Sequence, residues 1–158
     1  MTTIFISGAE GVGKTTTLNH LVKEFPDKDI HDFDEVGVPL NPQLSWRYKT
    51  TKHWLKISKE NEKIGGDTIV AGLSFPREII KFSKKKNFHF CLLDINIKER
   101  ERRLKKRESA KEVIEDLEQL KDLRKEFKKL KTKKIINTSN LTPQEISLKL
   151  IKWIEGLK

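Results

Sequence analysis

Gly8-Ala9-Glu10-Gly11-Val12-Gly13-Lys14-Thr15 is the stretch on which the reading of this chain turns. It matches the spacing G-x-x-x-x-G-K-T, and each of its parts has a physical task. Glycines let the backbone curl until several N–H groups point at one anion, a geometry costly for residues that carry a Cβ. The helix beginning near Lys14 adds the positive end of its dipole at the same spot. Lys14 then reaches the outer phosphates of a nucleotide, and the Thr15 hydroxyl suits Mg²⁺. Gly8, Glu10, Gly11, Val12, Gly13, Lys14, Thr15 and Thr16 are therefore the candidate phosphate contacts.

The flanks fit this reading. Thr3-Ile4-Phe5-Ile6-Ser7 is a short β-prone run closed by Gly8, and reads as a first strand. From Lys14 onward Leu18, Leu21, Val22 and Phe25 recur at helical spacing until Pro26 stops the pattern. Further out, residues 30–33 read as a second strand. Gly37, Pro39 and Pro42 break the chain before a helix of about 20 residues that ends near Gly65-Gly66. Residues 67–73 read as a third strand, 76–82 as a short helix, and 88–93 as an apolar, buried parallel strand. Ala110, Val113, Ile114, Leu117, Leu120, Phe127 and Leu130 form an apolar stripe on a charged helix, and Ile135-Ile136 seeds a fifth strand. Thr142-Pro143-Gln144-Glu145 has the chemistry of a helix start, with Ile146, Leu150, Trp153 and Leu157 as its buried face. Strands alternate with helices throughout, which is the pattern of an α/β domain with a parallel sheet covered on both faces.

Composition narrows the class. A chain of 158 residues suits one domain, read here as 1–158. The single cysteine, Cys91, excludes an internal disulfide framework and a cysteine-based zinc site. It sits mid-strand, where a buried, inert thiol is the default. His20, His31, His53 and His89 show no metal-ligand spacing. No run approaches the ~18 apolar residues of a membrane span, and the amino terminus lacks a signal-peptide pattern, so a cytoplasmic protein without membrane association is expected. The net charge is +10, and residues 97–134 carry 16 basic against 9 acidic side chains, leaving +3 for the other 120 positions. That segment reads first as a solvated helical face; the alternatives are arginines that meet phosphates and, as the lesser reading, nucleic-acid binding.

Three stretches together resemble the nucleotide-kinase-like group of P-loop kinases, which includes shikimate, gluconate and adenylate kinases. One is the glycine-rich loop at the start of a short chain. The second is Leu92-Leu93-Asp94 followed by Arg100 and by Arg103-Leu104-Lys105-Lys106-Arg107, similar to the strand and R-L-x-x-R helix that lead into the lid of these enzymes. The third is Ile136-Asn137-Thr138-Ser139 with Leu141-Thr142-Pro143-Gln144-Glu145, similar to their last strand, adenine-side loop and terminal helix. The resemblance implies a three-layer α/β/α fold with a five-stranded parallel sheet in the order 2-3-1-4-5, an acceptor-binding helical region at about 38–65 and a charged helical lid at about 98–132. It also implies ATP and Mg²⁺ as cofactors.

Asp32 and Asp34 form a D-x-D at the end of the second strand. In an extended segment residues two apart point to one side, so both carboxylates are expected to face one cleft. By resemblance to the shikimate and gluconate kinases, Asp34 is the catalytic base beside the acceptor hydroxyl and Asp32 the outer-shell partner of Mg²⁺. Arg103 and Arg107 share a helical face, and the resemblance gives Arg107 a catalytic role and Arg103 a nucleotide contact. Arg100, Arg102, Lys105 and Lys106 are expected to face solvent. Arg47 lies in the acceptor-binding region as a candidate for an anionic acceptor group, while Trp46 and Trp54 are either ring-stacking or core residues. Asp94 imitates a metal-binding aspartate after an apolar strand but reads as a strand-end turn or helix cap. Only Gly72 stands where shikimate kinases carry a glycine cluster, so shikimate is not the expected acceptor.

These readings converge on an ATP-dependent phosphotransferase acting on a small molecule, with a hydroxyl as the expected acceptor. A nucleoside-monophosphate kinase, a nucleotide-dependent binding or regulatory module and a kinase of nucleic-acid ends are the alternatives. Monomer and homodimer both stay open.

Overall fold

A computed structural model describes residues 1–8, 13–84, 87–106 and 110–157. In chain order the elements are β1 (Thr3–Gly8), α1 (Lys14–Glu24), β2 (Asp29–Asp32), a 3-10 turn (Phe33–Val36), α2 (Leu44–Lys63), β3 (Thr68–Gly72), α3 (Pro76–Phe82), β4 (Phe88–Asp94), α4 (Ile97–Lys105), α5 (Ala110–Lys129), β5 (Lys134–Asn137) and α6 (Pro143–Glu155). All strand pairings are parallel, and the sheet order is β2-β3-β1-β4-β5. The resemblance implied this order.

Both faces of the sheet are covered, which is why its central strands read as mostly apolar runs rather than alternating apolar and polar. Ile4, Ile6, Ile69, Cys91 and Leu93 pack with Leu18 and Leu21 of α1 and with Ile146, Leu150 and Ile154 of α6. The opposite parity, Phe5, Val70, Phe90 and Leu92, packs with Trp54 of α2, Ile79 of α3 and Leu123 and Phe127 of α5. The start of α6 follows its sequence signature: the Thr142 hydroxyl accepts from the Glu145 amide at 3.2 Å, with Pro143 at the first helical position.

Register places the working edge. Ser7 pairs with Gly72, Gly8 with Leu93, Asp94 with Asn137 and Asp32 with Ala71, so the end of β1, the start of the glycine-rich stretch, and the ends of the other strands share one edge. The chain leaves β1 toward β2 on one side and later crosses to β4 on the other. That crevice beyond the carboxyl end of β1 is where open α/β sheets hold ligands.

Several expectations are corrected. β2 stops at Asp32, because Phe33 turns inward to the core and begins the 3-10 turn. Val22 and Ile114 are 50% and 58% exposed, each lying on the flank of its stripe, while Leu123, omitted from the stripe, is fully buried. Arg100 is not solvent-facing. It is 1% exposed and pairs with Asp116 of α5 at 3.6 Å, because α4 folds back along α5 and turns this arginine inward.

Candidate active site

The glycine-rich loop opens α1 at Gly13, which has φ +90° as its N-cap, a left-handed conformation that favours glycine. Glu10, Gly11, Val12 and Arg107 lie outside the described residues. Arg103 stands on α4, with its side chain outside them. Lys14 curls back, and its Nζ donates to the Gly8 carbonyl at 2.9 Å. Thr15 and Thr16 are exposed in the first turn of α1, where hydroxyls are open to a ligand.

Across from them the D-x-D is built differently from its expected form. Asp32 caps the 3-10 turn, its Oδ1 accepting from the Asp34 amide at 2.9 Å, so Asp34 sits on a turn and not on an extended strand. The two carboxylates nevertheless reach one cleft of about 630 Å³, which is also lined by Lys14, Thr15 and Thr16. The turn replaces strand alternation as the device that turns Asp34 toward the loop. Asp116 and Gln119 of α5 form a further wall of this cleft. Sequence reading missed both. They stand three apart on the polar flank of the α5 stripe, which was their only signal.

The corner carrying Asp32 is held by charge. His31 pairs with Asp29 at 2.8 Å and with Glu35 at 2.7 Å, and its ring meets that of Trp54 at a tilt, 4.6 Å between centroids. Burial disfavours the charged ring, but the hydrogen bonds and charges of Asp29 and Glu35 outweigh it and raise the His31 pKa. Burial likewise works against the Asp29 carboxylate, yet hydrogen bonds from Asn61 and His31 bring its pKa down. Trp54 is core: its Nε1 donates to the Phe33 carbonyl at 3.0 Å. Trp46 is half-buried, donating to the Gly37 carbonyl at 3.1 Å.

Arg47 does not stand open to a ligand. Its Nε donates to both Glu78 carboxylate oxygens at 3.0 Å, and Glu78 is 2% exposed. The same guanidinium lies over the Phe75 ring at 4.6 Å, and Arg77 lies over that ring at 4.8 Å. Arg77 is 56% exposed and pairs with Glu126 at 2.9 Å. Two guanidiniums thus meet one ring just past the end of β3. Arg77 was missed in the sequence, where Phe75-Pro76-Arg77 reads only as a helix start.

Asp94 is the last residue of β4, paired with Asn137. Its Oδ1 accepts from the Ile95 amide at 2.9 Å and from Arg124 Nε at 2.8 Å. Cys91 is fully buried, and burial pushes its thiol pKa up. Among the described residues no cluster of three or more His, Cys, Asp or Glu is placed to hold a metal. No helix among them is long and apolar enough to cross a membrane.

Comparison with solved structures decides the architecture. A sugar kinase of Janibacter sp. matches with a TM-score of 0.72 at 16% identity, over 98% of this chain and 95% of that one. Shikimate kinase of Aquifex aeolicus matches with a TM-score of 0.67 at 18% identity, over 98% and 96%. The fold is that of the P-loop kinases. Thymidylate kinase of Candida albicans shares it as well, with a TM-score of 0.62 at 13% identity over 98% and 91% of the two chains. No protein-family model and no curated protein sequence matches the chain.

Proposed function

We propose that this protein is an ATP- and Mg²⁺-dependent phosphotransferase that moves the γ-phosphoryl group to a hydroxyl of a small acceptor. The observation that carries this reading is the single cleft in which Lys14 and Thr15 meet Asp32 and Asp34. Residues 8–13 would present backbone N–H groups to the phosphates, and Lys14, Arg103 and Arg107 would neutralise charge around the transferring group. The donor set fits magnesium, which takes hard oxygen ligands and keeps several waters: the Thr15 hydroxyl would bind it directly and Asp32 through water. Bound there, the ion would neutralise charge on the triphosphate. Asp34 accepts the acceptor's hydroxyl proton as the acceptor oxygen bonds to the γ-phosphorus, and the bond from that phosphorus to the β–γ bridging oxygen breaks.

One observation favours a second reading, a nucleoside-monophosphate kinase. Arg77, 56% exposed just past β3 and paired there with Glu126, is the guanidinium suited to an acceptor that carries an anion. A panel of nucleosides, monophosphates, sugars and oligonucleotides, scored for Mg²⁺-dependent transfer from labelled ATP, separates the readings. With a hydroxyl acceptor, Asp34→Asn should lower kcat at least 100-fold, at the low end for loss of a general base, while ATP affinity is kept. A monophosphate acceptor needs no proton removed by the enzyme, and undiminished turnover in Asp34→Asn would take Asp34 out of the mechanism.

A further inference from the structure

We propose that the groove between α2 and the end of α3, at the amino edge of the sheet, docks single-stranded nucleic acid at a site separate from the phosphate-loop cleft. The groove has a volume of about 410 Å³ and is walled by Lys52, Lys56 and Lys59 of α2 and by Lys84, over a floor of Leu55, Phe82 and Phe88. Phe88 pairs with Thr3 at the start of β1, whose far end runs into the phosphate loop. Groove and cleft therefore lie at opposite ends of the same strands, roughly 17 Å apart at about 3.3 Å per residue.

Charge identifies the class of occupant. Residues 44–87 carry 11 basic and 4 acidic side chains, an excess of +7 that equals the excess of residues 97–134. The near-neutral balance of the chain outside 97–134 hides this, because the remaining positions sum to −4. Lys52, Lys56, Lys59 and Lys63 follow at steps of four, three and four, so they form one row along α2. At ~1.5 Å per residue the row is about 16 Å long, a distance over which a stacked strand presents about five phosphates. Two acids share this helix: Glu60, 4.0 Å from Lys56, and Glu62, which lines the groove.

Part of the rim is set in advance. Lys52 lies over the Phe82 ring at 4.7 Å, and Lys81 lies over Phe82 at 5.4 Å and over Tyr48 at 5.2 Å. Lysines at the rim suit phosphates, and a recessed apolar floor suits the flat face of an unpaired base. A duplex keeps those faces stacked inside, and a bilayer surface does not descend into a recess, so the single strand fits both features.

The test is fluorescence anisotropy with a labelled 12-nucleotide oligothymidylate, a duplex of equal length and poly-glutamate as competitor, across a salt series. Wild type is compared with the Lys52→Gln/Lys59→Gln double variant and with Lys121→Gln/Lys125→Gln on α5 as a charge-matched control. Four lysine–phosphate contacts predict a log–log salt slope of about −3, and the α2 variant should flatten it by about 1.4. Affinity at low salt should fall at least tenfold in the α2 variant and stay within twofold in the control, with unchanged melting temperatures in both. Absence of salt-dependent binding, equal loss in the α5 control, or duplex bound as tightly as single strand would overturn the proposal. So would displacement by poly-glutamate at equal charge, which would mark a surface for acidic polypeptide instead. ATP turnover enters none of these readouts, so the outcome is independent of the proposed catalysis.

Discussion

Gly72 and Phe33 pack directly against each other at the base of the turn that carries Asp34. A Cβ at position 72 would run into the Cβ of Phe33, the buried residue that opens the turn carrying Asp34. Gly72→Ala is expected to destabilise the fold by about 1–3 kcal/mol through overpacking, and to lower kcat by moving Asp34. Denaturant midpoints and turnover measured together check both effects. Arg47 behaves differently, because its removal leaves Glu78 buried without its counter-ion. Arg47→Ala should cost about 3–5 kcal/mol, seen as a lower denaturant midpoint. Loss of activity in that variant therefore has to be separated from loss of fold. His31 makes stability depend on pH. Its raised pKa means that its pairing contributes fully below the ordinary histidine value of about 6.5 and is lost as pH climbs through the folded value. Asp29, with its lowered pKa, contributes above the ordinary carboxylate range and loses that contribution as acid titrates it. The midpoint difference between wild type and His31→Gln should thus be largest at about pH 5–6 and shrink toward pH 8. A difference that stays flat over this range would remove the charged pairing from the account.

At the scale of elements, what the sequence could reveal depended on how local the signal was. The strands were legible because parallel strands buried on both faces are short apolar runs, and Phe88–Asp94 is a clear case. α6 was legible because its cap, proline and glutamate are adjacent in sequence. The turn at Phe33–Val36 was not, since Phe33 leaves the strand to fill a tertiary pocket beneath Gly72. Arg100 failed for the same kind of reason: among neighbouring arginines, only the packing of α4 against α5 selects which one turns inward to Asp116. The D-x-D shows that a correct destination can follow from a wrong local premise. Strand alternation was the argument, a 3-10 turn is the fact, and both aspartates still line the cleft. Asp116 and Gln119 join that cleft from more than 80 residues beyond Asp34 in sequence, which no local pattern could announce.

For the whole molecule, the proposed function rests on one property: that the carboxyl edge of β1, where the glycine-rich stretch begins, holds a triphosphate. Magnesium-nucleotide binding to the folded state alone should raise stability by about 2.7 kcal/mol at a ligand concentration 100 times Kd. For a domain of this size that corresponds to a melting-temperature rise of roughly 5–11 °C. Isothermal titration calorimetry of the purified protein with Mg²⁺-ATP tests the central claim most directly. Saturable uptake with one site per chain is expected, abolished or weakened at least tenfold in Lys14→Ala while the fold is kept. No heat of binding at millimolar nucleotide, or uptake indifferent to Lys14→Ala, would contradict it.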